Sequence, residues 1–150
     1  MIEEEEKSVI STKGRYALRM LADIAGQSEG PQPLHDVAER QGISNKYLQR
    51  VAKLLVDAGH LVGSSGKGGG YRLAREPEAI SVLEVLEATE GTVAPVACLA
   101  EGAEPCPRAA ECSTLSLWKE HYELTRDLFG SVSVADLDGT TIKMMERRVK

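Results

Sequence analysis

Aromatic side chains are scarce in this chain. One Trp, one Phe and four Tyr stand among 150 residues, so a core drawn from the 42% hydrophobic residues has to be aliphatic. No stretch approaches the roughly 18 consecutive apolar residues that a membrane-spanning helix needs, and no membrane partner is expected. The opening MIEEEEK is acidic. No basic segment there leads into an apolar run, so no secretory signal is visible and a cytoplasmic location is expected. Histidine is limited to His35, His60 and His121, whose spacing matches neither a metal site nor a catalytic triad. The glycine-rich stretch around Lys67 fails as a phosphate-binding loop: Leu61 stands where the first Gly of GxxxxGK[ST] belongs and Gly68 replaces the Ser/Thr. GSSGK likewise misses the GxSxG nucleophile elbow. These absences argue against an enzyme and against a small-molecule substrate.

Cysteine is also scarce, and it is confined to CLAEGAEPCPRAAEC, as Cys98, Cys106 and Cys112. An odd number cannot fully pair within one chain, and thiols in a reducing compartment stay free. The spacing C-x7-C-x5-C contains no CxxC zinc knuckle, no dithiol redox motif and no ferredoxin pattern. Taken alone, it leaves three inert or redox-active thiols as the default, with a metal site as the minority reading.

What the sequence does have is charge segregation. The net charge of −5 conceals a balance of +6 over residues 7–75 and −7 over residues 76–150, with four Glu ahead of both. A basic module joined to an acidic one points to a polyanion partner for the first half.

Within that half, STKGRYALRMLADIAG starts at capping residues Ser11 and Thr12 and carries apolar rows through Ala17, Leu18, Leu21, Ile24 and Ala25. Gly26 and Gly30–Pro31 end the helix. A short helix marked by Leu34, Val37 and Ala38 follows, then Gly42 for a left-handed turn. Ser44 caps a longer helix with Tyr47, Leu48, Val51, Leu54 and Leu55 inward. Short helix, glycine turn and amphipathic helix make a helix-turn-helix. Asn45, Lys46, Gln49, Arg50 and Lys53 on its outer face suit base edges and phosphates; an ordinary helical hairpin with a solvated polar face is the competing reading. The next segment decides between them. HLVGSSGKGGGYRLAR offers strands near Leu61–Ser64 and Tyr71–Ala74 around a glycine tip, made basic by Lys67, Arg72 and Arg75. A basic hairpin directly after a recognition helix is a wing, and its glycines let the backbone approach phosphates. The expected fold is mainly α with a small β-hairpin wing. The expected DNA-binding residues are Ser44, Asn45, Lys46, Gln49, Arg50 and Lys53 on the helix and Lys67, Gly68, Gly69 and Arg72 on the wing.

TKGRYALRML, VAERQGIS, YLQRVAKLL, and GKGGGYRLAR followed by ISVLEVLEATEG resemble, in this order, the IscR/NsrR-like (Rrf-two) family of bacterial regulators over residues 9 to 137. The resemblance implies a dimeric winged helix-turn-helix transcription regulator, in many members one that senses through an iron–sulfur cluster. Residues 9–91 would be the DNA-binding domain with a connector helix from about Ile80, 92–112 the sensor loop, and 113–137 the dimerisation helix with its following segment. Residues 1–8 and 139–150 are expected to be flexible tails. In CSTLSLWKEHYELTRDLF, Leu115, Trp118, Tyr122, Phe129, Leu117, Leu124 and Leu128 form an apolar surface too wide for one small domain to cover; packing back onto the domain is the competing reading, and the resemblance implies pairing across a two-fold axis. Two departures keep the operator sequence from being carried over. Ser65 stands where IscR-like members commonly have an arginine, and Tyr47–Arg50 reads YLQR where YLEQ is common.

By the same resemblance, Cys98, Cys106 and Cys112 would ligate the cluster, with 2Fe–2S favoured over 4Fe–4S. The fourth ligand is not matched. IscR-like members use a histidine three residues past the last cysteine, where this chain has Leu115. NsrR-like members use an acidic residue near the start of the first helix of the partner chain, where this chain has Arg15. His121 and the N-terminal glutamates remain as substitutes. The alternative is a cluster-free regulator of the same fold, acting as a thiol-redox switch or through a protein partner.

Overall fold

In the computed structural model the described residues are 10–27, 30–140 and 142. Residues 1–8 and most of the expected C-terminal tail lie outside them.

Helix α1 (Thr12–Ala25) buries Ala17, Met20, Leu21 and Ile24 along one stripe, the three-and-four spacing of a core-facing helix. Ser11 is the N-cap residue, but its side chain does not cap. A carboxylate from far along the chain takes that role: Glu90 Oε1 accepts from Ser11 N (3.0 Å), Ser11 Oγ (2.6 Å) and Gly14 N (3.1 Å). An anion is favoured there by the helix dipole and by the orphan N–H groups of the first turn.

Helix α2 (Leu34–Gln41) ends at Gly42, whose φ of +66° makes the left-handed turn. Ile43 fills the corner, its N–H on Ala38 O at 3.0 Å. Helix α3 (Asn45–Asp57) starts on Ser44, whose Oγ accepts from Tyr47 N at 3.2 Å. Its inward stripe is Leu48, Val51, Ala52 and Leu55, with Tyr47 and Leu54 half-buried. The α1–α2 packing is pinned by Asp23, which receives the Arg40 guanidinium at 2.6 Å and Gln41 Nε2 at 2.8 Å.

Strands β1 (Leu61–Ser64) and β2 (Gly70–Leu73) pair antiparallel, Leu61 facing Leu73 and Ser64 facing Gly70. The second strand lies one residue earlier than the 71–74 expected, because Gly70 itself pairs with Ser64. On its other edge β2 meets Gln32: Tyr71 and Gln32 exchange both backbone hydrogen bonds at 2.8 Å. Gly70, at φ +151°, permits this approach. A Cβ there would lie 2.7 Å from Pro33 N.

Helix α4 (Val82–Glu90) begins on a Ser81–Glu84 capping box and ends at Gly91. It starts later than the expected Ile80, because Ile80 is extended, fully buried and paired with the segment that follows the last helix. Val134 N donates to Ile80 O (2.9 Å) and Val82 N to Val132 O (2.8 Å). That last helix, α5 (Leu115–Ser131), contains no fully buried residue, yet the chain after it returns to bury Val134 in the core of the winged module. A second cluster of Val82, Leu86, Val93 and Val132, flanked by Tyr122, Leu128 and Phe129, joins α4 to α5. Among the described residues no helix is long and apolar enough to cross a membrane.

Candidate nucleic-acid interface and cysteine loop

Asn45, Lys46, Gln49, Arg50 and Lys53 are all exposed on α3, opposite the buried stripe. Between them and the wing runs an open groove of about 670 Å³, lined by Lys46, Gln49, Arg50, Lys53, Val56, Asp57, Gly63 and Tyr71. The tip of the wing is built by glycines. Gly66 and Gly68 have φ of +85° and +79°, and a Cβ on Gly69 would stand 2.5 Å from Ser64 O. This tight tip leaves Lys67 and Gly68 exposed, with Gly69 half-buried and Arg72 exposed behind it.

Several cations are engaged within the fold. Arg40 is held by Asp23, Arg126 by Glu87 at 3.6 Å, and Arg75 by Glu84 at 3.2 Å, while Arg19 bonds Gln41. Hydrogen bonding to Asp23 and to Tyr122 raises the pKa of Arg40 and Arg126 respectively. Arg75 therefore braces the wing against α4, although the sequence suggested that it arms the hairpin. Of the cations on the exposed face of α3 and the wing tip, only Lys53 is ion-paired among the described residues, to Asp57 at 2.9 Å. Lys46, Arg50, Lys67 and Arg72 form no ion pair among the described residues and keep their charge available. Ser44 serves α3 as its cap. Val56, Asp57, Gly63 and Tyr71 were missed as groove residues. The i,i+4 spacing of Lys53 and Asp57 was readable in the sequence, whereas the groove itself depends on how the hairpin folds back.

The three cysteines are free; Cys98 and Cys112 are exposed and Cys106 is half-buried. Cys98 sits in a 3-10 turn (Ala97–Leu99) and Cys112 just ahead of α5. The hydroxyl of Thr114, 3.5 Å from Cys112 Sγ, together with the backbone N–H groups of Thr114 and Leu115, lowers the Cys112 pKa and favours its thiolate. As a donor set, three accessible thiols on one loop suit a soft metal centre. Their arrangement does not yet make one: among the described residues no three His, Cys, Asp or Glu side chains converge to hold a metal ion. Leu115 and Arg15, at the two positions of the fourth ligand, are not ligands, and His121 is exposed on α5 beside Thr125.

Comparison with known proteins agrees with this geometry. The sequence pattern of the Rrf2 family, described as an iron-dependent transcriptional regulator, matches residues 10–139. The chain is 41% identical over 129 residues to protein rrf2 of Nitratidesulfovibrio vulgaris, covering 85% of each. It is 39% identical over 129 residues to the HTH-type transcriptional regulator IscR of Xenorhabdus nematophila, covering 85% of this chain and 77% of that one. Among solved structures, CymR (YrzC), the global cysteine regulator of B. subtilis, superposes with a TM-score of 0.71 at 33% identity, covering 89% of this chain and 98% of that one. Helix-turn-helix, glycine-tipped wing and cysteine loop therefore stand in a chain that belongs to the Rrf2 family of transcriptional regulators, and it is a regulator rather than an enzyme.

Proposed function

We propose that this protein is a dimeric, sequence-specific DNA-binding regulator whose affinity for its operator is set by an iron–sulfur cluster at Cys98, Cys106 and Cys112. The observation that carries the DNA reading is the clustering of exposed cations on α3 and the wing. Arg40, Arg75 and Arg126 are tied to intramolecular acids, while Lys46 and Arg50 line the groove and Lys67 and Arg72 stand exposed on the adjoining wing, none of these four in an ion pair among the described residues. In this reading α3 enters the major groove, with Asn45, Gln49 and Arg50 toward base edges, and Lys67 follows the phosphates or the minor groove. Two copies paired through α5 would place their recognition helices on half-sites about 10 bp apart or at a multiple of that. The protein would act in the cytoplasm, with duplex DNA and a second copy of itself as partners.

For the sensor, the supporting observation is a loop with three free thiols placed between α4, which packs on the winged module, and α5. A cluster, 2Fe–2S favoured over 4Fe–4S, would supply iron–thiolate bonds that oxidants break. The protein's part is to gather the three thiolates and transmit the order of the loop to its two flanking helices. A cluster-free thiol switch is the second reading. It is favoured by the dispersed cysteines, the acidified Cys112, and the likeness to a cysteine regulator.

The test is anaerobic purification, followed by visible absorbance and iron analysis, with DNA affinity measured on a duplex selected from a random pool. Coloured, iron-containing protein that protects a symmetric, salt-sensitive site is the expected result. Colourless, iron-free protein would favour the thiol switch, and asymmetric or salt-insensitive protection would remove the DNA reading.

A further inference from the structure

Tyr71 lines the groove with no chemical role yet assigned to it, and the fold fixes its position from both sides. It is the central residue of a three-segment ladder: its backbone exchanges two 2.8 Å hydrogen bonds with Gln32 on one side, and it faces Gly63 across β1 on the other. A Cβ on Gly63 would stand 3.2 Å from Tyr71 Cε1, so a glycine opposite leaves room for the ring. The ring is half-buried against the core of the winged module and lines the groove together with Lys46, Gln49, Arg50 and Lys53. Its hydroxyl makes no hydrogen bond among the described residues and is not sealed from solvent, so it can donate to a ligand in the groove.

We infer that Tyr71 is a phosphate-contacting residue of the DNA interface, its hydroxyl donating to a non-bridging oxygen of the backbone strand that lies between recognition helix and wing. The inference rests on the DNA-binding reading above and deepens it. If α3 occupies the major groove while the wing tip follows the flanking backbone, the strand between them has to pass along this groove. The Tyr71 hydroxyl adds an uncharged donor to the groove beside Lys46 and Arg50, where the Lys53 ammonium is engaged by Asp57 at 2.9 Å. Tyr71 is tied through Gln32 to the segment leading into α2 and through β1 to the wing. A phosphate bonded to its hydroxyl is thereby positioned relative to both halves of the interface.

A neutral donor leaves a signature that a lysine does not. Lysine–phosphate contacts release counterions and steepen the dependence of affinity on salt, whereas a hydroxyl contact adds affinity without changing that slope. The experiment measures binding of wild-type, Tyr71→Phe and Lys46→Ala full-length protein across a salt series, on a duplex selected from a random pool and on an unrelated duplex. Tyr71→Phe keeps the ring and the backbone ladder, which an unchanged thermal midpoint verifies. The expected result is an affinity about tenfold lower on both duplexes with the wild-type salt slope, against a slope reduced by about 1 for Lys46→Ala. Wild-type affinity in Tyr71→Phe overturns the inference while leaving DNA binding intact. A loss confined to particular base pairs overturns it in favour of base-edge contact. Salt-insensitive wild-type binding would overturn the DNA reading and this contact with it.

Discussion

Two glycines in helices show where packing overrules local propensity and where it does not. Gly14 lies in the first turn of α1, where a Cβ would overlap Glu90 Oε1 and stand 3.0 Å from Leu86 Cδ2. Glu90 cannot yield without loosening the three bonds that hold the helix start. Gly14→Ala should therefore destabilise by about 1–3 kcal/mol, the usual cost of overpacking, despite the helix preference for alanine. At Gly130 the nearest atom to a new Cβ is Leu83 Cδ2 at an ordinary 3.7 Å, so Gly130→Ala should stabilise by up to about 1 kcal/mol. Denaturant midpoints of the two variants should move in opposite directions. His60 sets a second residue-scale expectation. It is 5% exposed, with Nδ1 unpartnered among the described residues, and burial first, then the charge of Arg75, lowers its pKa from 6.5, Glu84 opposing. The unfolded chain thus takes up the proton more readily than the folded one. Stability should hold above the ordinary value and decline as pH falls through it toward the depressed folded value. Thermal midpoints measured between about pH 5 and 7.5, above most carboxylate titrations, should show this decline in the wild type and lose most of it in His60→Leu.

At the scale of elements, the sequence was most informative where structure is decided locally. The stripe Leu48, Val51, Leu55, the cap at Ser44 and the left-handed Gly42 made α2, the turn and α3 readable, and the glycine tip made the wing readable. What was not readable depends on residues far apart in the chain. The Gln32–Tyr71 pairing, the Glu90 carboxylate on α1, and the return of Val132 and Val134 to Ile80 and Val82 leave no mark in the periodicity of either partner. The same limit hid the engagement of Arg75 by Glu84, since a basic residue on a hairpin reads alike whether it faces DNA or its own fold. For the candidate site, residue types and their exposed face were legible; the groove and the dispersal of the cysteines were not. Helix α5 carries its own prediction. Leu117 and Leu124, seven residues apart on one face, are 59% and 42% exposed, a costly display for large aliphatic side chains in a lone chain. Replacing both with Ser should convert dimer to monomer in sedimentation while leaving the winged module folded. Affinity should then fall steeply for a two-fold site and little for an isolated half-site.

Across the whole molecule, α5 is held at its two ends in different ways, which under the proposed function would let the cysteine loop act at a distance. The C-terminal end is tied into the DNA-binding module by the Val132–Val82 and Val134–Ile80 hydrogen bonds at 2.8 and 2.9 Å and by the burial of Val134. Midway, Arg126 links it to Glu87 of α4 at 3.6 Å. The N-terminal end begins only after Cys112, with nothing fully buried along the helix to fix it. Ordering the loop restrains that end, whereas freeing a segment that contains Gly102, Pro105 and Pro107 releases backbone entropy of about 1–2 kcal/mol per residue. Because the other end is anchored in the winged module, part of that difference should reach the relative placement of the two recognition helices in a dimer. Coupling free energies between sites are typically about 1–3 kcal/mol, or roughly 5- to 150-fold in affinity. Cluster-loaded protein, protein stripped of iron, and Cys106→Ala should be compared on the same selected duplex under anaerobic conditions. The loaded form is expected to differ from the other two by a factor in that range, with stripped and Cys106→Ala protein alike. Equal affinity for all three, in a protein that does bind iron, would show that the loop does not set the switch. Iron-free protein whose affinity changes only on thiol oxidation would instead place the control in the thiols themselves, beginning with the acidified Cys112.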